Sequence, residues 1–78
     1  MGNSRNGQEQ ERASRLSPRE RDVLRLIAEG LRSQQIADKL QIGTGEVEAH
    51  RRNIRSKLGL GTVAELTRYA IREGLVKP

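Results

Sequence analysis

Residues 33–58 read SQQIADKLQIGTGEVEAHRRNIRSKL, and this stretch decides the fold. Ile36, Ala37 and Leu40 form the apolar stripe of one short helix. Gln41-Ile42-Gly43 is too short for anything but a turn. A second helix is then predicted from Thr44 or Gly45 to Leu58. Two helices joined by so short a link have helix-turn-helix geometry. On a wheel of 100° per residue with Val47 at zero, Ile54 falls at about 340° and Leu58 at about 20°. These three make a thin buried seam. Glu48, Ala49, Arg52, Asn53 and Ser56 fall on the opposite side. Arg51 and Arg55 flank the seam on one side, His50 and Lys57 on the other. Ala49 to Leu58 carries four cationic side chains and no acidic one. An amphipathic helix with arginines outside is often only a solvated surface. Placed second in a helix-turn-helix, the same front suits the major groove of duplex DNA.

Working outward, two further helices are predicted. Ser17-Pro18-Arg19-Glu20 is a start signal, with Ser17 as cap, Pro18 at the first helical position and Glu20 completing a capping box. Val23, Leu24, Ile27, Ala28 and Leu31 then keep one face, and Gly30 ends the helix. Gly59-Leu60-Gly61 breaks the chain after Leu58. Thr62 and Glu65 form a second capping box, opening a last helix that runs to about Glu73 and closes at Gly74. Leu75 and Val76 can fold back. No segment carries a strand pattern. The fold class is therefore all-α: four helices, with a helix-turn-helix made by helices 2 and 3. The candidate core is Leu16, Val23, Leu24, Ile27, Leu31, Ile36, Leu40, Ile42, Val47, Ile54, Leu58, Leu66 and Ala70.

Composition narrows the function classes. The chain has 78 residues, no cysteine, one histidine and a net charge of +5. That is room for one small domain. A disulfide framework and a thiolate metal site are excluded, and a lone histidine builds no metal site. No apolar run approaches a membrane span of roughly 20 residues. The expected partner of so basic a domain is a polyanion. Residues 1–15 hold only Met1 and Ala13 as apolar side chains, so they are expected to be a disordered linker or tail. They lack the apolar stretch of an export signal, and Asn6 stands where a myristoylation signal wants Ser or Thr. The expected location is the cytoplasm. The domain proper is 16–78.

The family resemblance follows from these blocks in order. Leu16-Ser17-Pro18-Arg19-Glu20-Arg21-Asp22-Val23-Leu24 resembles the opening of the LuxR-type (GerE-like) DNA-binding domain. Gly30-Leu31 with Ile36-Ala37-Asp38-Lys39-Leu40 resembles its next block, and Val47 to Ile54 with Lys57-Leu58-Gly59 its recognition helix. The likeness covers residues 16–76. It implies a dimer-forming transcription regulator domain, expected to be the output domain of a two-component response regulator joined through residues 1–15, with a self-contained short regulator as the alternative.

The resemblance puts Glu48, Ala49 and Arg52 at base-reading positions, with Asn53 a further reader. Arg52 can give two hydrogen bonds to guanine, Glu48 can accept from cytosine N4, and Ala49 can touch a thymine methyl. Ser33, Gln34 and Gln35 open helix 2, where free backbone N–H groups can meet a phosphate. Thr44, Arg51, Arg55 and Lys57 are the other phosphate candidates. Helix 4 is the implied dimer contact, through Thr62, Val63, Leu66 and Thr67. Two positions depart from the family pattern. Gly43 stands where Ser or Thr usually caps, and Glu46 where Thr usually stands. Glu46 is expected to satisfy free N–H groups and complement the helix dipole, at the expense of a phosphate contact.

The expected partners are double-stranded DNA, a second copy of the chain and RNA polymerase, with no membrane, small-molecule ligand, metal or cofactor. The alternative keeps the fold but makes the domain a sigma-region-4-like module that touches polymerase or an anti-sigma partner. An enzyme is not expected. His50 has no nucleophile or carboxylate in triad order, and the acidic residues of Arg19-Glu20-Arg21-Asp22 read as a solvated face. Gly59-Leu60-Gly61 lacks the remainder of a phosphate loop. With Tyr69 the only aromatic, base stacking on single strands is disfavoured.

Overall fold

The computed structural model describes residues 15–77. Apart from Arg15, the expected linker or tail of residues 1–15 lies outside the described residues. Four helices follow one another: α1 (Pro18–Ala28), α2 (Ser33–Leu40), α3 (Thr44–Leu58) and α4 (Val63–Arg72). No strand occurs among the described residues.

The helix ends follow local chemistry. At α1 the Ser17 hydroxyl accepts from the Glu20 N–H at 3.1 Å, and the Glu20 carboxylate accepts from the Ser17 N–H at 2.9 Å. Thr62 and Glu65 repeat this box at α4, where one Glu65 oxygen also accepts from the Gly61 N–H at 3.0 Å. These donors hold the Glu65 carboxyl below its ordinary value. At α2 the Gln35 side chain accepts from the Arg32 N–H at 2.8 Å, a cap not foreseen from the sequence. The turn between α2 and α3 depends on Gln41, a non-glycine residue at φ 58°.

The four helices bury one core. α1 packs on α4 and α3, and α2 packs mainly on α3. Val23, Leu24, Ile36, Val47, Ile54, Leu66 and Tyr69 are buried at its centre. Leu26 joins the core beyond the residues named from the sequence, and Ala37 of the α2 stripe and Tyr69 are buried with it. Leu31, Leu40 and Ile42 are only partly buried, because they pack at its edge. One reading is corrected. Glu20 is not part of a solvated face: it is 4% exposed, the one charged residue in the described core. The last turn of α3 reaches it through Lys57.

Candidate nucleic-acid interface

α3 presents the candidate interface. Its seam of Val47, Ile54 and Leu58 is buried, and this turns the opposite face outward. Glu48, Arg52, Asn53 and Ser56 are exposed there, and Ala49 is half-buried beside them. The four candidate base readers therefore share one accessible face, with Glu48 and Arg52 one helical turn apart. The side chains of Arg52 and Asn53 make no ion pair or hydrogen bond within the described residues, so both heads are available to a ligand.

The phosphate candidates divide. Arg51 and Ser33 line one hollow of about 380 Å³, together with Ile27, Gly30, Leu31, Arg32 and Val63. The fold thus brings the start of α2 next to a guanidinium of α3. Arg51 packs its stem inward, and its Nε lies 3.9 Å from a Glu48 oxygen. Arg32 belongs to this cluster and was not among the candidates. Its exposed position at the cap of α2 follows from the helix boundary, which was legible. Gln34 is exposed, and Gln35 uses its side-chain oxygen on the Arg32 N–H. Thr44 is exposed at the first turn of α3, and Arg55 is half-buried.

Packing changes the setting of two candidates. Lys57, whose side chain is 39% exposed, donates to the Glu20 carboxylate at 2.7 Å and to the Arg15 carbonyl at 3.2 Å, so its ammonium already has two partners within the domain. Burial alone would raise the Glu20 carboxyl, but the Lys57 ammonium and the Ser17 N–H outweigh it and hold it below its ordinary value. Leu66 has no exposure, so it lies in the core beneath the proposed dimer surface rather than on it. Val63 is 45% exposed, the one large apolar side chain so placed among the described residues. Thr62 is exposed and Thr67 half-buried.

The front of α3 is also corrected. Gly43 offers no side-chain cap, and Glu46 makes no capping hydrogen bond. The Glu46 carboxylate instead lies 3.6 Å from His50 Nε2, one turn along the helix. It remains in the first turn, where the helix dipole favours a carboxylate. Among the described residues no cluster of potential metal ligands occurs, and no helix is long and apolar enough to cross a membrane.

The comparisons agree with this four-helix fold. Residues 14–70 match the family model for bacterial regulatory proteins of the luxR family, GerE. The chain is similar to the transcriptional regulatory protein MctR of Rhizobium johnstonii, with 48% identity over 61 residues. That match covers 78% of this chain and 28% of MctR. It is also similar to the oxygen regulatory protein NreC of Staphylococcus aureus, with 44% identity over 62 residues, covering 80% of this chain and 29% of NreC. The chain thus spans less than a third of the length of these relatives. The match decides between the two readings of the helix pair in favour of the LuxR type. With four helices, an outward-facing α3 and a family match over most of its length, the chain belongs to the LuxR family of bacterial regulatory proteins, as a helix-turn-helix domain of GerE type.

Proposed function

We propose that this domain reads a specific duplex DNA sequence for transcription regulation by laying α3 in the major groove. Glu48, Ala49, Arg52 and Asn53 face the base edges. Arg52 donates to guanine, Glu48 accepts from cytosine N4, and Ala49 meets a thymine methyl. Ser33, Gln34 and Gln35 offer the backbone N–H groups of the first turn of α2 to phosphate, with Arg32, Thr44, Arg51 and Arg55 around them. Two copies pair on DNA through the exposed side of α4 at Thr62, Val63 and Thr67. The domain works by binding rather than by catalysis, in the cytoplasm, where the bacterial chromosome lies. The regulatory input comes from another part of a longer protein, most plainly a receiver domain, and RNA polymerase is the downstream partner.

The observation that carries this reading is the face of α3. Its polar readers are exposed together while its three apolar residues are buried. Selection of bound duplexes from a random pool tests it. The expected result is a recurring sequence with at least one guanine that Arg52→Ala ceases to select. A pool that stays random through successive rounds would overturn the reading.

A further inference from the structure

A 15-residue helix that reads bases must be held against both tilt and roll. The apolar seam of α3 does only part of this. Val47, Ile54 and Leu58 lie almost in one line, and the side chains flanking it, His50, Arg51 and Arg55, are only half-buried. The readers Glu48 and Ala49 lie eight or nine residues from Lys57, a lever of about 12–14 Å. A tilt of about 5° about that end moves them by about 1 Å, well outside the spread of hydrogen-bond lengths.

Off the seam, at the C-terminal end of that lever, lies Lys57. Its ammonium meets the buried Glu20 carboxylate at 2.7 Å and the Arg15 carbonyl at 3.2 Å. The same Glu20 oxygen accepts from the Ser17 N–H. Leu16, between these anchors, is buried in the core. One carboxylate thus ties three things together: the segment leading into α1, the first turn of α1 and the last turn of α3. The partners are 37 and 42 residues apart in sequence, so this contact exists only in the assembled fold. An ion pair with one buried partner is weak support for stability by itself, and the best-attested use of such pairs is to fix one arrangement over its neighbours.

We propose that Glu20 and Lys57 are positioning residues for base reading: the pair of buried Glu20 carboxylate and partly exposed Lys57 ammonium, closed by the Arg15 carbonyl, sets the tilt and roll of α3, and Lys57 touches no phosphate. This rests on the proposed reading of duplex DNA by α3. The pair acts on specific binding, which needs the readers in register. It acts little on random duplexes, which need only charge.

The test measures affinity for the selected duplex and for a random duplex, across salt concentrations, with the full 78-residue chain. The variants are Lys57→Met, Glu20→Gln and Arg51→Ala. Folding is followed by circular dichroism. Glu20→Gln keeps an acceptor for Ser17 and carries the comparison should Lys57→Met not fold. For Lys57→Met and Glu20→Gln the specific-over-random affinity ratio is expected to fall by roughly fivefold to tenfold, the low end of a mismatched base pair. Their salt slopes stay as in the parent, whereas Arg51→Ala flattens its slope by about 0.9. A slope flattened by Lys57→Met as by Arg51→Ala makes Lys57 a phosphate contact and overturns the proposal. Folded variants with an unchanged affinity ratio reduce the pair to stability alone and overturn it too. Failure to select any duplex refutes the DNA reading itself, and the proposal with it.

Discussion

At the scale of single residues, the two kinds of DNA contact make different demands on a side chain. A base reader must be free at its head, exposed and aimed away from the core. Arg52 meets all three conditions. Arg52→Ala is expected to cost about 1–3 kcal/mol at the selected site and to relax the choice of base there. Binding assays on the selected and on a shuffled duplex check this, and an equal loss on both would rule out base reading by Arg52. Glu20 illustrates the opposite demand, a charge whose whole environment is internal. Its carboxyl is held below its ordinary value by Lys57 and Ser17 against the effect of burial. The folded state therefore favours the ionised form. This stabilisation is full above the ordinary carboxylate value of 4.5 and is lost as pH falls through the depressed native value. The stability gap between the parent and Glu20→Gln is thus expected to be widest near neutral pH and to close in acid. Urea unfolding at a series of pH values measures it, and a constant gap would contradict the pairing.

At the scale of elements, stability rests on caps and turns whose chemistry is local. Thr62 caps α4 through a hydroxyl 3.1 Å from the Glu65 N–H. Thr62→Ala should cost about 1 kcal/mol, read as a lower urea midpoint. Gln41 works the other way. It holds the left-handed conformation at the end of α2, φ 58°, without the freedom of glycine. That conformation costs roughly 1–2 kcal/mol for most side chains. A flexible glycine gives back about 0.4–1 kcal/mol of this through the unfolded chain. Gln41→Gly should therefore stabilise by roughly 0.5–1 kcal/mol, and a lower midpoint would show that the Gln41 side chain contributes contacts of its own. The helix boundaries were legible in the sequence for the same reason that these effects are predictable. Ser17 with Glu20, and Thr62 with Glu65, act within four residues of chain. The exposed face of α3 was legible too, since the period of Val47, Ile54 and Leu58 determines what lies opposite. The burial of Glu20 and its pairing with Lys57 were not. Each depends on a residue 37 positions away, and in the local pattern both look like ordinary surface charges. Leu66 shows the same limit. Helix 4 pointed to a contact surface, but which of its sides α1 covers is decided only by packing.

At the scale of the whole molecule, charge argues for cooperation between copies. The net charge is +5, yet the front of α3 carries Glu46 and Glu48, and Lys57 is neutralised by Glu20. One copy is left with Arg32, Arg51, Arg52 and Arg55 as the cations of its proposed DNA face. Each phosphate contact contributes a salt slope of only about 0.9, so a single copy should grip a half-site weakly. A second copy related by a two-fold axis doubles the contacts and requires half-sites about 34–36 Å apart. The surface for such pairing is the side of α4 around Val63, whose 45% exposure makes it the apolar side chain most open to a partner. Val63→Asp tests the arrangement without disturbing the core. Sedimentation of the parent on a duplex with two half-sites should give two copies per duplex, bound cooperatively. Val63→Asp should keep the parent's thermal stability and lose the cooperativity, because two carboxylates would then face each other across the two-fold axis; its affinity for a single half-site falls as well, since Val63 lines the hollow beside Arg51 and Ser33. Cooperative binding that survives Val63→Asp would move the contact away from this side of α4. One copy per duplex, even with both half-sites present, would dismiss the dimer altogether.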